Sequence, residues 1–258
     1  MSQRTLRSAL VLLALGVAFL PALAEEMPTA EQIIDRSVEA TGGKAAYEKL
    51  KNRMIKATFS LPAQGITGAA TIYETDDNRN YTVIEIPQLG KIEQGSDGDV
   101  MWENTPFSGP SIVEGSMLEQ RKRESMFNWE LNWKEHYPSA ETVGKVDVKG
   151  KPAWEVKLTP ESGSPVSRFY DVESGMLVKS SAVMETPMGE MPSISYFEDV
   201  RELNGRKVPF KVVQEAAGMQ QVLVLEEVQE NIEIDEATFK LPEAIKSLVE
   251  ASAAAPTE

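Results

Sequence analysis

The sequence predicts an α+β fold, in which one curved antiparallel β-sheet is covered on its concave side by helices. About ten short segments of alternating apolar and polar residues follow one another, and turn sequences rich in Gly, Asn and Asp join them. Helical periodicity occurs in an N-terminal segment and in one inserted segment. No linker or change of composition divides the series, so we expect a single domain with consecutive strands paired as a meander. A sheet of this size curls, and helices against its concave face supply the core.

The first 24 residues have the features of a cleaved signal peptide. Arg4 and Arg7 precede a charge-free apolar run from Ala9 to Leu20, and an A-x-A site ends at Ala24. The run is shorter than the roughly 20 apolar residues that span a bilayer. We expect cleavage after Ala24 and export of the remainder; the alternative is an uncleaved anchor.

Composition excludes several classes of protein. The chain has 258 residues, of which 41% are hydrophobic and 26% charged, as is typical of a globular protein. Its 26 basic and 40 acidic residues give a net charge of -14, which argues against a nucleic-acid partner. There is no cysteine, and His136 is the single histidine. These counts exclude disulfides, thiolate chemistry and multi-histidine metal sites, so we expect no metal and no cofactor.

The N-terminal element is predicted to be a helix. Thr29 and Gln32 form a capping box, Gly42-Gly43 ends the helix, and residues 45–50 form a second short helical segment. The residues on the apolar face of the first helix are Ile33, Ile34 and Val38.

Period-two patterns follow this helical region. The turn sequence Asn204-Gly205 is the strongest hairpin signal in the chain. We expect the domain to span residues 25–242 and residues 243–258 to form a flexible tail, because the end of the chain is rich in Ala, Ser, Pro and Thr. The strand candidates are 54–61, 69–74, 81–86, 154–158, 168–172, 176–184, 193–203, 206–213 and 222–225.

The segment from Glu114 to Tyr137 interrupts the strands. Met126, Trp129 and Trp133 recur at helical spacing, which predicts an inserted helix with a wide apolar face. One interpretation is that its aromatic residues close the domain core. The other is a movable lid over an apolar cavity.

The sequence contains no recognised catalytic motif. His136 lies in a charged exit from the inserted segment without a nucleophile motif. Asp76-Asp77 and Asp97-Gly98-Asp99 occur in turn sequences that favour Asp, and adjacent strand residues such as Glu226 and Glu227 point to opposite faces. We therefore expect a protein that is not an enzyme, with a carboxylate-only hydrolase as a minor alternative.

Methionine is the unusual feature of the composition. The chain has 11 methionines, and Met184, Met188 and Met191 lie close together around a Pro- and Gly-containing turn. Methionine recurs on surfaces that accept varied apolar partners, which would place this turn against a ligand at the rim of the sheet. The alternative is that these residues simply cap the core between two strands. The residues that we expect to line an apolar ligand cavity are Trp102, Phe127, Trp129, Trp133, Met188 and Met191.

Several strand and hairpin motifs carry a resemblance to a known family. The stretches Val143–Val156, Phe169–Leu177 and Phe197–Pro209 resemble signatures of exported proteins related to the outer-membrane lipoprotein-sorting proteins LolA and LolB. Ala40-Thr41-Gly42-Gly43 and Phe239-Lys240-Leu241-Pro242 also fit these relatives.

This resemblance implies an open antiparallel half-barrel with helices as a lid. In the LolA and LolB carriers, the cavity receives the acyl chains of lipoproteins that cross the periplasm, and the LolA carrier depends on a buried arginine and on loop contacts to membrane partners. Arg53, Arg79 and Arg121 are candidates for that arginine. The chain lacks the lipobox cysteine of LolB.

The resemblance favours a monomeric, periplasmic, non-enzymatic carrier of a lipid-like or acylated ligand, with a membrane-bound donor or acceptor protein as a possible partner. The alternative function is an envelope-assembly scaffold module that binds a protein partner and no small ligand.

Overall fold

One antiparallel sheet organises the protein. The computed structural model describes residues 27–87, 89–186 and 189–254. The strands are β1 (Asn52–Leu61), β2 (Ile66–Thr75), β3 (Asn80–Ile86), β4 (Gly90–Ser96), β5 (Met101–Thr105), β6 (Gly109–Ile112), β7 (Ser139–Val148), β8 (Lys151–Thr159), β9 (Val166–Asp171), β10 (Leu177–Thr186), β11 (Gly189–Leu203), β12 (Arg206–Ala216) and β13 (Met219–Glu230). Within the described residues these 13 strands lie in the order β6-β5-β4-β3-β2-β1-β13-β12-β11-β10-β9-β8-β7. Because β6 and β7 are the two edges, the sheet is open.

Five α-helices accompany the sheet within these residues: α1 (Ala30–Ala40), α2 (Lys44–Glu48), α3 (Gly115–Glu124), α4 (Trp129–Asn132) and α5 (Glu243–Ala254). The predicted capping box starts α1: the Gln32 backbone N–H donates to the Thr29 hydroxyl at 3.2 Å, and the Thr29 N–H donates to the Gln32 side chain at 2.9 Å. Within the described residues, no helix is both long enough and apolar enough to cross a bilayer.

The connection from β6 to β7 crosses the sheet. These strands are opposite edges, since the first six strands extend outward from β1 and the other seven return from β7 to β13, which pairs with β1. The connecting residues 113–138 therefore traverse one face of the sheet, and α3 and α4 lie within them. The topology, rather than local sequence, places this segment over the sheet.

The core on this face consists of two clusters. In the first, α1 and the end of the crossing segment pack on β8 and β9; in the second, inward-facing residues of β1, β2 and β3 meet those of β12 and β13. The first cluster is Ala30, Ile33, Ile34, Trp133, Tyr137, Val156, Leu158 and Tyr170. The second is Ile55, Ala57, Phe59, Ala70, Ile86, Phe210 and Leu225.

Four hairpin turns at one end of the sheet contain no charged residue. Because neighbouring strands are antiparallel, the turns that follow β1, β3, β5 and β12 lie at the same end, in the half of the sheet from β6 to β12. We call these turns the uncharged rim; their described residues are 62–65, 87, 89, 106–108 and 217–218. The turn after β8, at the same end in the other half of the sheet, contains Glu161, and most turns at the opposite end carry charge, as in Asp76-Asp77-Asn78-Arg79.

The α+β class and the single curved sheet with helices are confirmed, whereas the expected number of strands is too small. The strands that the sequence did not single out are β4, β5, β6 and β7. They contain Gly, Pro and polar residues, as in Gly109-Pro110-Ser111-Ile112, so their alternation is weak.

The single inserted helix and the flexible tail are both wrong in part. The helical segments α3 and α4 are separated because Asn128 adopts a left-handed conformation at φ 50°. Residues 243–254 of the expected tail form α5, which lies beside the edge strand β6 and has Ile245 fully buried. The signal peptide and Met188 lie outside the described residues.

Candidate functional site

A cavity of about 550 Å³ lies between the sheet and the helices. Its walls come from α1 and α2, from residues 124–137 of the crossing segment, and from β1, β2 and β9 to β13. Cavities of about 300–1,000 Å³ are typical of small-molecule sites. The size suits one ligand of moderate length.

The walls of this cavity differ in polarity. Leu223 and Leu225 of β13, with Ile55 of β1, form an apolar wall. The adjoining surface on β10 to β12 is mixed: it contains apolar residues such as Met184 and a polar group in which the Gln214 side chain donates to the Ser193 hydroxyl at 3.0 Å. The cavity can therefore receive a molecule with both an apolar and a polar part.

Two of the arginines that line the cavity are neutralised by carboxylates. Arg53 of β1 forms an ion pair with Glu74 of β2, and its guanidinium lies 5.5 Å from the centre of the Phe127 ring. Arg206 of β12 pairs with Glu230 of β13, and the two side chains are only 7% and 6% exposed. Since each charge is compensated within the protein, these two pairs are mainly structural.

A third arginine, Arg168 of β9, is placed differently. Its guanidinium carbon lies 3.2 Å from the centre of the Trp129 ring. Its Nε atom is buried and has no hydrogen-bond partner in the described chain. Arg168 therefore brings an uncompensated positive charge to the cavity wall.

Burial perturbs the ionisable groups around Arg168. Desolvation raises the pKa of the Glu130 carboxyl, and the positive charges of Arg168 and Arg53 oppose that shift without cancelling it. Burial likewise raises the pKa of Tyr47 to about 12. The pKa of Tyr170 is raised by the same cause, and its hydroxyl has no partner among the described residues.

The structure separates the aromatic residues that the sequence grouped together. Trp129 lines the main cavity and packs against the core cluster that contains Trp133. Phe127 is 5% exposed and lies beneath Arg53, while Trp133 is 8% exposed and belongs to the core cluster with α1. Trp102 lies instead in a second pocket of about 190 Å³, formed with Val113 and the end of α3.

The predicted methionines are only partly located. Met191 pairs with Met184 across β10 and β11, and Met184 lines the main cavity. Met191 itself is half-buried at the start of β11.

Of the three candidate arginines, only Arg53 lines the main cavity. Arg79 pairs with Asp77 and Glu236, and Arg121 lines the second pocket.

Sequence reasoning missed Arg168. A signal was available, since Arg168 and Tyr170 are two residues apart in a predicted strand and therefore share a face. A charged residue on the same face as a buried tyrosine indicates an inward-pointing charge. Within the described part of the chain, no group of three His, Asp or Glu side chains could hold a metal ion.

No family model and no curated protein matches this sequence. Solved structures do match. A LolA superfamily protein from Nitrosomonas europaea superposes with a TM-score of 0.55 at 15% identity, over 83% of this chain and 99% of its own. A domain assigned as an outer-membrane lipoprotein-sorting protein from Vibrio parahaemolyticus gives a TM-score of 0.55 at 13% identity, over 86% of this chain and 99% of its own.

The chain has the LolA-type fold. A DUF1329 family protein from Desulfovibrio piger shares it, with a TM-score of 0.56 at 14% identity, over 83% of this chain and 98% of its own. At these identities the likeness establishes the fold alone, and function must be argued from the site. In this LolA-type fold, the cavity between the sheet and the helices is the candidate site.

Proposed function

We propose that this protein is an exported, non-enzymatic carrier that holds one lipid-like or acylated ligand in the main cavity. The single observation that carries the proposal is a cavity of about 550 Å³ with an apolar wall, enclosed between the sheet and the crossing segment of a LolA-type fold. Burial of an acyl chain stabilises such a complex by about 0.8 kcal/mol per CH₂ group. Six methylene groups on the Leu223 and Leu225 wall would therefore contribute about 5 kcal/mol.

The crossing segment is the part that would admit and release the ligand. Its hydrogen bonds to the sheet are few: α3 is joined to β10 by the side chains of Gln120 and Ser116. The break at Asn128 lets α3 move without α4. Trp129, on the far side of that break, would stay in contact with the bound ligand.

The uncharged rim suits contact with a membrane-bound donor or acceptor. Phe107 lies at the tip of the β5–β6 turn and is 75% exposed. An exposed aromatic residue among turns without charge is typical of a surface that meets an apolar partner. Together with the signal peptide predicted for residues 1–24, this supports a carrier that works in the periplasm and meets its partners at this rim.

A second candidate function is an envelope-assembly module that binds a protein and no small ligand. The observation that favours it is β7, a ten-residue edge strand with no neighbour on its outer side in the described chain. An extended segment of another protein could add to this edge by backbone hydrogen bonds.

Native mass spectrometry of the mature protein, purified from the periplasm without detergent, tests the two functions. A carrier should show a stoichiometric adduct of lipid mass that solvent extraction removes. A clean apo mass, with no uptake of added phospholipid or acylated peptide, would contradict the carrier and favour the assembly module. The mass of the polypeptide in the same spectrum tests cleavage after Ala24.

A further inference from the structure

Among the described residues, Arg168 is the arginine of the cavity wall that has no carboxylate partner. Arg53 and Arg206 each form an ion pair, whereas the Arg168 guanidinium forms neither an ion pair nor a hydrogen bond to a described residue, and its Nε atom is buried. Arg168 is half-buried, and burial of its Nε–H without a hydrogen-bond partner costs free energy, because that donor loses its hydration. A ligand that brings an acceptor to this donor would remove that cost.

The neighbours of Arg168 hold the guanidinium in place and leave donors free. The indole of Trp129 covers one face of the guanidinium at 3.2 Å, and this stacking fixes the plane of the group. Stacking uses the flat face and not the N–H edge. The donors at that edge therefore remain available to a planar or tetrahedral anion.

The carboxyl groups near Arg168 do not take the role of that anion. Glu130 and Glu124 both attract Arg168 electrostatically, but among the described residues neither carboxylate lies close enough to form an ion pair with its guanidinium. Desolvation raises the pKa of both carboxyls, so burial opposes their ionised forms. Neither carboxylate forms an ion pair with the Arg168 guanidinium among the described residues, so its N–H donors are not used by them.

We propose that Arg168 binds an anionic group of the ligand, so that the cavity selects an amphiphile with a carboxylate or phosphate joined to an apolar chain. This inference rests on the proposed carrier function and names its ligand class. The charged end would lie against Arg168 and the hydroxyl of Ser180, which is the strand neighbour of Arg168. The apolar chain would extend along the cavity to Leu223 and Leu225 of β13, which is separated from β9 by β10, β11 and β12.

Three probes with the same chain test the assignment: dodecanoate, dodecyl phosphate and dodecanol. Their binding is measured by displacement of the neutral fluorophore N-phenyl-1-naphthylamine, below the critical micelle concentrations. We expect the wild-type protein to bind at least one anion about tenfold more tightly than dodecanol, as a charge-assisted hydrogen bond allows. The preferred anion distinguishes a carboxylate ligand from a phosphate ligand.

Two variants and one control separate charge from packing. Arg168→Gln should lose the preference for the anion and bind dodecanol within about twofold of wild type, because the apolar wall is intact. Arg168→Lys should keep most of the preference, since it retains the charge. Arg201→Gln makes the same change of net charge at an exposed arginine paired with Asp199, and should behave as wild type.

The possible failures are distinct. If dodecanol binds as tightly as both anions, or if Arg168→Gln leaves the preference unchanged, the assignment of Arg168 is wrong and the carrier function stands. If none of the three probes displaces the fluorophore from the wild-type protein, the carrier function falls and the inference falls with it.

Discussion

Gln120 of α3 is bound to the backbone of Glu185 in β10. The Glu185 N–H donates to the Gln120 side-chain oxygen at 2.8 Å, and Gln120 Nε2 donates to the carbonyl oxygen of Val183 at 2.9 Å. β9 pairs with β10 only as far as Ser181, so this stretch of β10 has a free edge. One side-chain amide thus replaces a neighbouring strand and, in doing so, holds α3 against the sheet.

Replacing Gln120 with Ala should loosen α3. Loss of the two hydrogen bonds at a partly exposed site should cost about 1 kcal/mol, which corresponds to about fivefold faster local opening. Hydrogen exchange of residues 183–186 measures this effect. Gln64→Ala, in the exposed turn after β1, is the control. An unchanged exchange rate in Gln120→Ala would show that α3 is held by other contacts.

The buried pair of Arg206 and Glu230 should be important for stability. Removing one partner of a buried ion pair leaves an uncompensated charge, so Glu230→Gln should lower the free energy of unfolding by about 3–5 kcal/mol. Urea denaturation measures the loss. Replacing both partners, as in Arg206→Met with Glu230→Gln, should recover part of it.

The matched control for this pair is on the same strand. Glu227 of β13 pairs with Lys56, and both side chains are largely exposed. Glu227→Gln should leave the urea midpoint almost unchanged, since solvent screens the interaction. Equal effects of the two Glu→Gln substitutions would contradict the structural role assigned to Glu230.

The hairpin of β11 and β12 shows what local sequence can predict. Asn204 and Gly205 both have positive φ, at 50° and 78°, and Leu203 pairs with Arg206 across them. Asn-Gly adopts this turn at little cost and sets the register of the strands that it joins. Turn chemistry of this kind made the pairing of consecutive strands predictable within each half of the sheet, but not the pairing of β1 with β13 that joins the halves.

The crossing segment shows where local sequence was insufficient. Helical periodicity placed Met126, Trp129 and Trp133 on one face of a single helix, but the left-handed Asn128 interrupts that helix before Trp129. Trp133 is a buried member of the core cluster with α1, whereas Trp129 packs against that cluster and also lines the cavity. Arg168 was missed because its importance depends on which wall lies opposite it. Such long-range placement follows from the sheet order, which the strand pattern alone does not reveal.

The same difference between the two tryptophans gives a prediction. Trp133→Ala should cost about 3–5 kcal/mol of stability, because it removes a large side chain from the core cluster with α1. Trp129→Ala should cost less stability and should weaken binding of the neutral and anionic probes alike. Thermal denaturation and fluorophore displacement on both variants provide the comparison. A binding defect confined to Trp133→Ala would reverse these roles.

Glu130 should make stability depend on pH. Burial raises its pKa above the ordinary value of 4.5, so the folded protein binds this proton more tightly than the unfolded chain does. Stability from this group is therefore complete below the unfolded pKa and is lost as pH rises through the folded pKa. Glu130→Gln should raise the free energy of unfolding at pH 7 relative to wild type.

This gain should disappear near pH 4, where the wild-type carboxyl is protonated in both states. Urea unfolding between pH 4 and pH 8 measures the difference. Glu135→Gln, an exposed neighbour in the same segment, should show no comparable dependence on pH. A stability gain from Glu130→Gln that is the same at every pH would mean that titration is not its cause.

Phe107 should affect the rate at which the ligand is transferred to a membrane, and not the affinity of the protein for the ligand. Its side chain is 75% exposed at the uncharged rim, so Phe107→Asp should leave stability and probe affinity unchanged. A charge at this position opposes contact with an apolar surface, so transfer of dodecanoate from the loaded protein to zwitterionic phospholipid vesicles should slow several-fold. Val200→Asp places the same charge at an exposed apolar residue near the opposite end of the sheet and is the control. Equal transfer rates for wild type, Phe107→Asp and Val200→Asp would show that the ligand leaves by diffusion through solvent, without contact at the rim.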